Sequence, residues 1–213
     1  MPTSSVSLYE QLFPLTTVMK QRFVDNFSGD TLNERWTEFV QTASSSGTMA
    51  DSVDGGFEIT TTTATNAGGG INFNLKRQYA HNGSVFIAVG KNSKTTINHG
   101  LFGLQSEQRS DAAGNDHCAW DVTNSITNWF VRTNDGGGLQ TDVQSTTARD
   151  TNIHSFKLIL GASDVEGFLD GVTTTSNTSR LPTVKLNPTI GNQNDSSGVA
   201  LVTSVRYMEC YNT

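Results

Sequence analysis

The sequence predicts an all-β protein built as a sandwich of antiparallel strands. Ser, Thr and Asn make up roughly a third of the 213 residues, whereas charged residues contribute only 16%. Thr favours strands, and Asn and Ser favour the turns between them. Strand-like segments also recur about every ten residues, which is the spacing expected of a sandwich. A chain of this length can bury a sizeable core as one domain.

Each predicted strand is a short run of high β-propensity or of alternating apolar and polar residues, bounded by a turn signal. Residues 57–63 are rich in Phe, Ile and Thr, and residues 71–75 alternate strictly, which predicts one buried and one polar face. Residues 84–90 are apolar and β-branched, and we place them at the centre of a sheet. In order, the predicted strands are residues 37–41, 48–53, 57–63, 71–75, 84–90, 97–105, 118–122, 128–132, 139–144, 153–160, 164–169, 172–175, 185–192 and 199–210.

The first 22 residues differ in composition from the rest and are predicted to form an N-terminal arm, followed by the folded domain at residues 23–213. A polar start leads into an apolar patch, and Pro14 interrupts any helix. We expect the arm either to pack on its own domain or to bind a neighbouring subunit or a larger assembly. Its candidate contact residues are Tyr9, Leu12, Phe13, Leu15, Val18 and Met19.

The charge and hydropathy of the chain exclude several classes of partner. The net charge is −6, the sequence pI is about 5.1, and Lys and Arg do not cluster, so a nucleic-acid or anionic-lipid surface is not expected. No apolar run is long enough to span a membrane. Residues 1–10 lack the pattern of a Sec-type signal peptide. The composition is typical of extracellular proteins, but an export signal is not recognised. This combination predicts a virion protein assembled in the host cytoplasm. The alternative is an extracellular protein whose signal has been removed.

Cys118 and Cys210 are the only cysteines. A sandwich can bring distant residues together, so a disulfide and two free buried thiols are both consistent with the sequence. His117 precedes Cys118, but neighbours on a strand point to opposite faces. We therefore expect a buried thiol beside an exposed imidazole, and no catalytic pair.

Three segments share the order and spacing of motifs in a known superfamily. Residues 25–36, DNFSGDTLNERW, are similar to the entry motif D-x-F-S-G-x-x-L-x-x-x-W. HSFKL at 154–158 and VEGFLDGV at 165–172 are similar to an H-x-[FY]-x-[IL] strand followed by an F-x-D-G hairpin, and LVTSVRY at 201–207 to the closing strand V-D-Y-V-R-V. Together they resemble the concanavalin A-like lectin/glucanase superfamily over residues 23–211. The resemblance implies a two-sheet jelly-roll β-sandwich whose closing strand pairs near the entry motif.

Two departures from the superfamily limit what the resemblance implies. The closing strand usually carries an Asp at the position of Thr203, and such positions help hold a structural calcium in several relatives. No metal is therefore predicted; a calcium ion, if bound, would use Asp25, Asp30 or Asp195 with backbone carbonyls. The laminarinase-type hydrolases also carry an E-x-D-x-x-E strand that supplies nucleophile, helper and acid/base, and no such run occurs here. We therefore predict a non-catalytic member.

The acidic residues give no independent support for catalysis. Glycoside hydrolysis needs two carboxyls about 5 to 9 Å apart. Asp116 and Asp121 stand at odd spacing and face opposite sides of a strand. Asp170 is explained as a turn residue before Gly171.

Glycan binding needs an exposed aromatic ring with polar side chains around it. Trp120 and Trp129 lie on adjacent predicted strands, and either Trp129 or Phe130 must point outward if the strand is regular. The alternative is that both Trp residues belong to the core. The resemblance implies that sugars would bind on the concave sheet. The candidate ligand residues are Trp120, Asp121, Asn124, Asn128, Trp129 and Arg132.

Three functions follow from these observations. We predict a non-enzymatic surface protein of a virion, such as a capsid decoration, head-fibre or tail-associated subunit, with the arm bound to capsid or tail proteins and the sandwich facing outward. The first alternative is a free carbohydrate-binding module or lectin that binds cell-surface glycans. The second is a divergent glycoside hydrolase. If subunits associate into a homo-oligomer, the arm and the edge strands are the expected contacts.

Overall fold

A computed structural model of the chain describes residues 21–42, 45–49, 56–108, 114–195 and 198–213. The predicted arm residues Tyr9, Leu12, Phe13, Leu15, Val18 and Met19 lie outside the described residues. Residues 50–53 of the predicted second strand also lie outside them. Within the described part, no helix is long and apolar enough to cross a lipid bilayer.

Fifteen strands make up the described chain, and all of their pairings are antiparallel. They are β1 (Arg22–Asp25), β2 (Thr37–Thr42), β3 (Ser45–Met49), β4 (Phe57–Thr61), β5 (Gly68–Asn72), β6 (Ser84–Asn92), β7 (Ile97–Gln105), β8 (Asp116–Asp121), β9 (Asn128–Asp135), β10 (Gln140–Ala148), β11 (His154–Leu160), β12 (Val165–Leu169), β13 (Val172–Asn177), β14 (Asn187–Asn194) and β15 (Val202–Asn212).

The strands form two sheets. An eight-stranded sheet has the order β13-β12-β11-β6-β15-β4-β3, with β1 paired to β15, and a seven-stranded sheet has the order β10-β9-β8-β7-β14-β5-β2. Sequence neighbours such as β6 and β7, or β14 and β15, belong to different sheets, so the chain crosses repeatedly between the two layers. This confirms the predicted all-β jelly-roll sandwich.

The entry and closing motifs meet as the resemblance implied. Asp25 of the entry motif pairs with Met208, the residue directly after the closing motif, and Trp36 is buried. Asp25 also fixes the turn that leads to Trp36: its Oδ1 accepts a hydrogen bond of 2.8 Å from the Phe27 backbone N–H, and its Oδ2 accepts one of 2.9 Å from Trp36 Nε1. The predicted central strand is also confirmed, since β6 lies between β11 and β15.

A large aromatic cluster fills the space between the sheets. Phe102 and Phe156 stack with ring centroids 4.4 Å apart, and the Trp129 ring lies 4.8 Å from Phe156. The strand β11 shows why the sequence folds this way: its residues alternate between buried and partly exposed along the whole strand, and the buried set includes Phe156 and Leu158. Alternation at the period of a strand turns one face into the core.

The two cysteines face this core as free, fully buried thiols. Burial raises the pKa of both thiols, which suppresses the reactive thiolate. We expect no reaction of the folded protein with an aromatic disulfide reagent and reaction of both thiols once the protein is unfolded in guanidinium chloride. If the unfolded, unreduced protein showed no thiols, Cys118 and Cys210 would instead be joined as a disulfide.

His154, the first residue of β11, joins two loops at one end of the sandwich. Its Nδ1 lies 2.7 Å from Oδ2 of Asp170, and its Nε2 lies 2.9 Å from Oδ1 of Asp150. Burial opposes the charged imidazolium, but the hydrogen bonds and charges of Asp170 and Asp150 prevail, so the pKa of His154 is raised. Asp170 therefore does more than the turn predicted from its sequence position.

The raised pKa of His154 predicts a pH-dependent stability. The contribution of the imidazolium is fully present below the pKa of an unfolded histidine, about 6.5, and is lost as the pH rises through the higher pKa of the folded state. In thermal unfolding, His154→Gln should therefore lower Tm more at pH 5.5 than at pH 8.5. His81→Gln is the matched control for the loss of a histidine, because it leaves the contacts of His154 with Asp150 and Asp170 in place. Equal losses for His154→Gln would contradict the assignment.

Candidate functional site on the outer face of the seven-stranded sheet

The two faces of the seven-stranded sheet are distinguished by the alternation of β8 and β9. Cys118, Trp120, Trp129 and Val131 belong to the core cluster between the sheets. The residues between them point to the opposite side, which we call the outer face. Leu101 and Ala119 form a small separate apolar cluster there.

The expectation of an exposed aromatic ring on these strands is wrong. Trp120, Trp129 and Phe130 all have 0% of their surface exposed. Both Trp residues lie in the core, where Trp120 Nε1 donates a hydrogen bond of 3.0 Å to the Lys157 carbonyl of the other sheet. Phe130 does point to the outer face, but the Arg132 guanidinium lies 4.8 Å above its ring. None of the three rings can stack on a sugar in this structure.

The polar candidates Asp121 and Arg132 are brought together on the outer face. Arg132 Nη1 donates to Asp121 Oδ2 at 2.9 Å, and His99 Nδ1 lies 2.9 Å from the same oxygen. On its other side, Arg132 binds both oxygens of Asp142, with Nε to Oδ1 and Nη2 to Oδ2 each 2.7 Å long. We call His99, Asp121, Arg132 and Asp142 the ionic network. It spans β7, β8, β9 and β10.

The ionic network holds Asp121 as a permanent carboxylate. Burial alone would raise its pKa, but the charges of His99 and Arg132, together with hydrogen bonds from His99 and the Gly100 backbone N–H, bring the pKa below its ordinary value. The backbone N–H of Val122 donates to the same carboxylate at 2.7 Å. A carboxyl group stabilised in this way is poorly suited to act as a general acid.

A second set of polar side chains lies on the outer face toward the β7–β8 connection. Gln105 pairs with His117, and His117 pairs with Asn134, so the three stand side by side across three strands. We call them the amide row. All three are fully buried, and Gln105 Nε2 and Oε1, His117 Nε2 and Asn134 Nδ2 have no hydrogen-bond partner within the described part of the chain. Such atoms are costly to bury unless something pairs with them.

His117 is neutral in this setting, and its burial corrects the expectation of an exposed imidazole. Burial lowers its pKa to about 4, against a smaller opposing effect of the hydrogen bond to Asn115. Nδ1 lies 2.9 Å from the Asn115 carbonyl oxygen, so Nδ1 is the donor and Nε2 is left as an acceptor.

The remaining sequence candidates lie away from the ionic network. Asn128 donates to the Ser145 carbonyl at 2.8 Å, and Asn124, in the turn between β8 and β9, donates to Asp195 at 3.3 Å. Asn128 thus bridges the irregular stretch of the β9–β10 pairing, and Asn124 supports a turn. Of the six predicted ligand residues, only Asp121 and Arg132 share a cluster on the outer face.

The candidate calcium ligands are not assembled either. Asp25 is engaged by Phe27 and Trp36, and Asp195 lies 3.1 Å from the Lys94 ammonium. Thr203, at the position of the usual Asp, is buried and donates to Asn92 Oδ1 at 2.6 Å. Among the described residues, no group of three or more His, Cys, Asp or Glu side chains is arranged to hold a metal ion.

Sequence reasoning missed four outer-face residues that matter most: His99, Asp142, Gln105 and His117. His99 and Asp142 lie 22 and 10 residues from their partners Asp121 and Arg132, so only strand pairing brings them together. A register argument on the two aromatic strands could have found the facing of Asp121 and Arg132, since Asp121 pairs with Phe130 and Arg132 with Ala119.

Solved structures with the same fold cover nearly the whole chain. The Crh5 transglycosylase matches with a TM-score of 0.62 at 16% identity, covering 90% of this chain and 84% of that one. An immunostimulatory antigen and pseudo beta-1,3-glucanase of Mycobacterium tuberculosis matches with a TM-score of 0.65 at 13% identity, covering 90% and 98%. The Emp47p carbohydrate recognition domain matches with a TM-score of 0.62 at 11% identity, covering 90% and 94%.

At the level of sequence, no family model matches the chain, and no curated protein matches it. Identities of 11–16% carry the fold alone. These similar structures are a transglycosylase, a pseudo-glucanase and a carbohydrate recognition domain, and they share the jelly-roll that the sequence motifs resemble. The chain therefore has the concanavalin A-like jelly-roll fold of lectins and glucanases.

Proposed function

We propose that this protein is a non-enzymatic carbohydrate-binding module and that the outer face of the seven-stranded sheet is its glycan-binding surface. The observation that carries the proposal is the ionic network. It places three charged side chains and a histidine on the face turned away from the core, where they do not contribute to the packing between the two sheets.

The ionic network is costly to keep as a structural device. Two carboxylates and a guanidinium lose water there, and a buried ion pair contributes little net stability compared with apolar residues of similar size. Buried charges grouped on one surface are more typical of functional sites. The network also leaves groups for a ligand: the Asp142 and His99 side chains remain 24% and 18% exposed.

The geometry favours binding over catalysis. Both carboxylates of the ionic network are engaged by the same guanidinium, and the pKa of Asp121 is lowered. A glycosidase needs one carboxyl group with a raised pKa to protonate the leaving oxygen. Rigid carboxylate, imidazole and guanidinium groups can instead hydrogen-bond sugar hydroxyls.

The proposal is tested by a glycan array followed by calorimetric titration of the best oligosaccharide. We expect His99→Ala to weaken binding roughly two- to tenfold, the effect of one lost hydrogen bond to the ligand, and to lower Tm because the buried Asp121 carboxylate loses its His99 hydrogen bond. The titration is therefore made below the Tm of the variant, so that two folded proteins are compared. His81→Ala, at a turn outside the outer face, is the matched control and should bind like the wild type. An array without hits, or equal affinities for His99→Ala and His81→Ala, would refute the proposal.

One observation favours a second candidate, a divergent glycoside hydrolase. His99 is oriented by the Asp121 carboxylate, and an imidazole held by a buried carboxylate is an arrangement that general bases use. In that case the purified protein would release reducing ends from β-glucans, and His99→Ala would abolish the release. Release no higher than the blank would remove this candidate.

We further propose that the module acts on the surface of a virion, as a capsid decoration, head-fibre or tail-associated subunit. The support is the low charge and the composition rich in Ser, Thr and Asn. The apolar residues between Tyr9 and Met19 would bind the capsid or tail protein. Deleting residues 1–20 should release the protein from purified particles without changing its glycan affinity. Full retention of the truncated protein on particles would contradict this role for the arm.

A further inference from the structure

A depression of about 230 Å³ lies at the end of the outer face where β5 and β7 end and β14 begins. We call it the Leu75 pocket. The residues that matter for its chemistry are Asn72, Asn74, Leu75, Glu107, Gln108 and Asn187. None of them belongs to the ionic network.

Two buried amides hold the rim of the Leu75 pocket in place. Asn72 Oδ1 accepts from the Asn74 backbone N–H at 2.6 Å, and Asn187 Oδ1 accepts from the Leu75 backbone N–H at 3.0 Å. Asn72 and Asn187 are each only 1% exposed. Their amide nitrogens donate to Thr189 Oγ1 and to the Gln105 carbonyl, so both side chains are fully engaged and not free to bind a ligand.

The loop that these amides hold has an unfavourable backbone. Asn74 and Leu75 follow each other with φ of 45° and 64°. Asn tolerates this left-handed region, but Leu rarely adopts it because its Cβ crowds the backbone. Leu75 is nevertheless 63% exposed, so it packs little against the core. Strain kept at an exposed apolar side chain, beside a pocket, is characteristic of a ligand contact.

Unpartnered hydrogen-bonding atoms are concentrated at the same end of the face. Gln108 Nε2 is buried, has no partner among the described residues, and belongs to a residue that lines the pocket. Gln105 of the amide row pairs with Asn187 of the pocket wall, and both polar atoms of its side chain also lack a described partner. The pocket and the amide row are therefore neighbours.

The types of these atoms select the ligand. Among the described residues, no Lys or Arg lines the pocket, which disfavours an anion. The unpartnered atom that lines the pocket, Gln108 Nε2, is an N–H donor, which disfavours a metal ion. A hydroxyl group both donates and accepts, so it can pair with amide nitrogens and with the Glu107 carboxylate. The exposed Leu75 side chain adds an apolar contact.

We propose that the Leu75 pocket binds one neutral, hydroxyl-bearing sugar ring, the terminal unit of a glycan that continues along the outer face. This inference rests on the proposed carbohydrate binding but depends on different residues. The volume of the Leu75 pocket, about 230 Å³, admits a single sugar ring rather than a chain of rings. The ring would present its C–H groups to Leu75 and its hydroxyls to Gln108 and Glu107.

The test uses the full-length protein and the methyl glycosides of glucose, galactose, mannose and N-acetylglucosamine, with binding measured by ligand-observed NMR titration. Leu75→Gly removes the apolar contact and also relieves the positive φ, so Tm should stay equal or rise. Leu139→Gly is the matched control, since Leu139 is similarly exposed, at 62%. A second variant, Gln108→Met, removes the buried donor while keeping the side-chain length.

We expect at least one glycoside to bind, and expect Leu75→Gly and Gln108→Met each to weaken it roughly two- to tenfold while Leu139→Gly does not. Failure of all four glycosides to bind, or equal affinities for Leu75→Gly and Leu139→Gly, would overturn the pocket proposal. Oligosaccharide binding that is lost in His99→Ala but unchanged in Leu75→Gly would leave the proposed function standing and remove the pocket alone.

Discussion

Replacing Arg132 by Met should lower the free energy of unfolding by about 3–5 kcal/mol, the cost of leaving a buried carboxylate without its partner. Asp121 is fully buried and would lose the Arg132 Nη1 hydrogen bond of 2.9 Å. Its other bonds, from His99 and from backbone N–H groups, do not replace the guanidinium charge. Urea unfolding followed by circular dichroism measures the loss.

Two further variants separate the charge effect from lost packing. Arg132→Met combined with Asp121→Asn should recover part of the stability, because the uncompensated charge is removed. Asp142→Asn should cost less than Arg132→Met, since Asp142 is partly exposed and is the outer partner of the pair. If Arg132→Met cost no more than about 1 kcal/mol, the value of a surface salt bridge, the ionic network would not be buried as described.

The second large effect is expected at Trp120. Trp120→Ala should destabilise the protein by about 3–5 kcal/mol, since it empties a large volume in the core between the two sheets. Any loss of sugar binding in this variant would follow from unfolding, because the ring faces Phe156 and not the solvent. The Tm and the affinity for the sugar should therefore fall together.

Conservative variants distinguish the two buried Trp residues. Trp120 Nε1 donates to the Lys157 carbonyl, whereas Trp129 Nε1 has no partner among the described residues. Trp120→Phe should therefore lower the unfolding free energy more than Trp129→Phe, by about 1 kcal/mol for the lost hydrogen bond. A Trp120→Ala variant with wild-type Tm and lost binding would instead restore Trp120 as a ligand contact.

The fold could be predicted from the sequence because its signals are local. Alternation along β11 and the turn signals between strands define the sheets, and the three motifs at residues 25–36, 154–172 and 201–207 supply the topology. The strict alternation at residues 71–75 did not predict the burial of its polar residue Asn72 correctly. Asn72 was expected on a polar face, but it is buried, and its amide is hydrogen-bonded to the Thr189 hydroxyl and to the Asn74 backbone N–H.

The site could be predicted only in part, because its geometry depends on pairing between distant strands. Asp121 and Arg132 were recognised as candidate ligand residues, but they were assigned to the same site as two Trp rings that face the opposite side of the sheet. On a strand, Trp120 and Asp121 necessarily point to opposite faces. The Trp side chain faces the core because burying its larger apolar surface is more favourable. His99 and the amide row have no local signal at all.

The central claim is that the outer face of the seven-stranded sheet binds a glycan without catalysing its cleavage. The most direct measurement is calorimetric titration of the best array oligosaccharide into wild-type protein and His99→Ala, with mass spectrometry of the sugar after incubation. The claim predicts binding to the wild type, weaker binding to the folded variant, and an oligosaccharide of unchanged mass. Equal binding to both proteins, or cleavage of the oligosaccharide by the wild type, would contradict it.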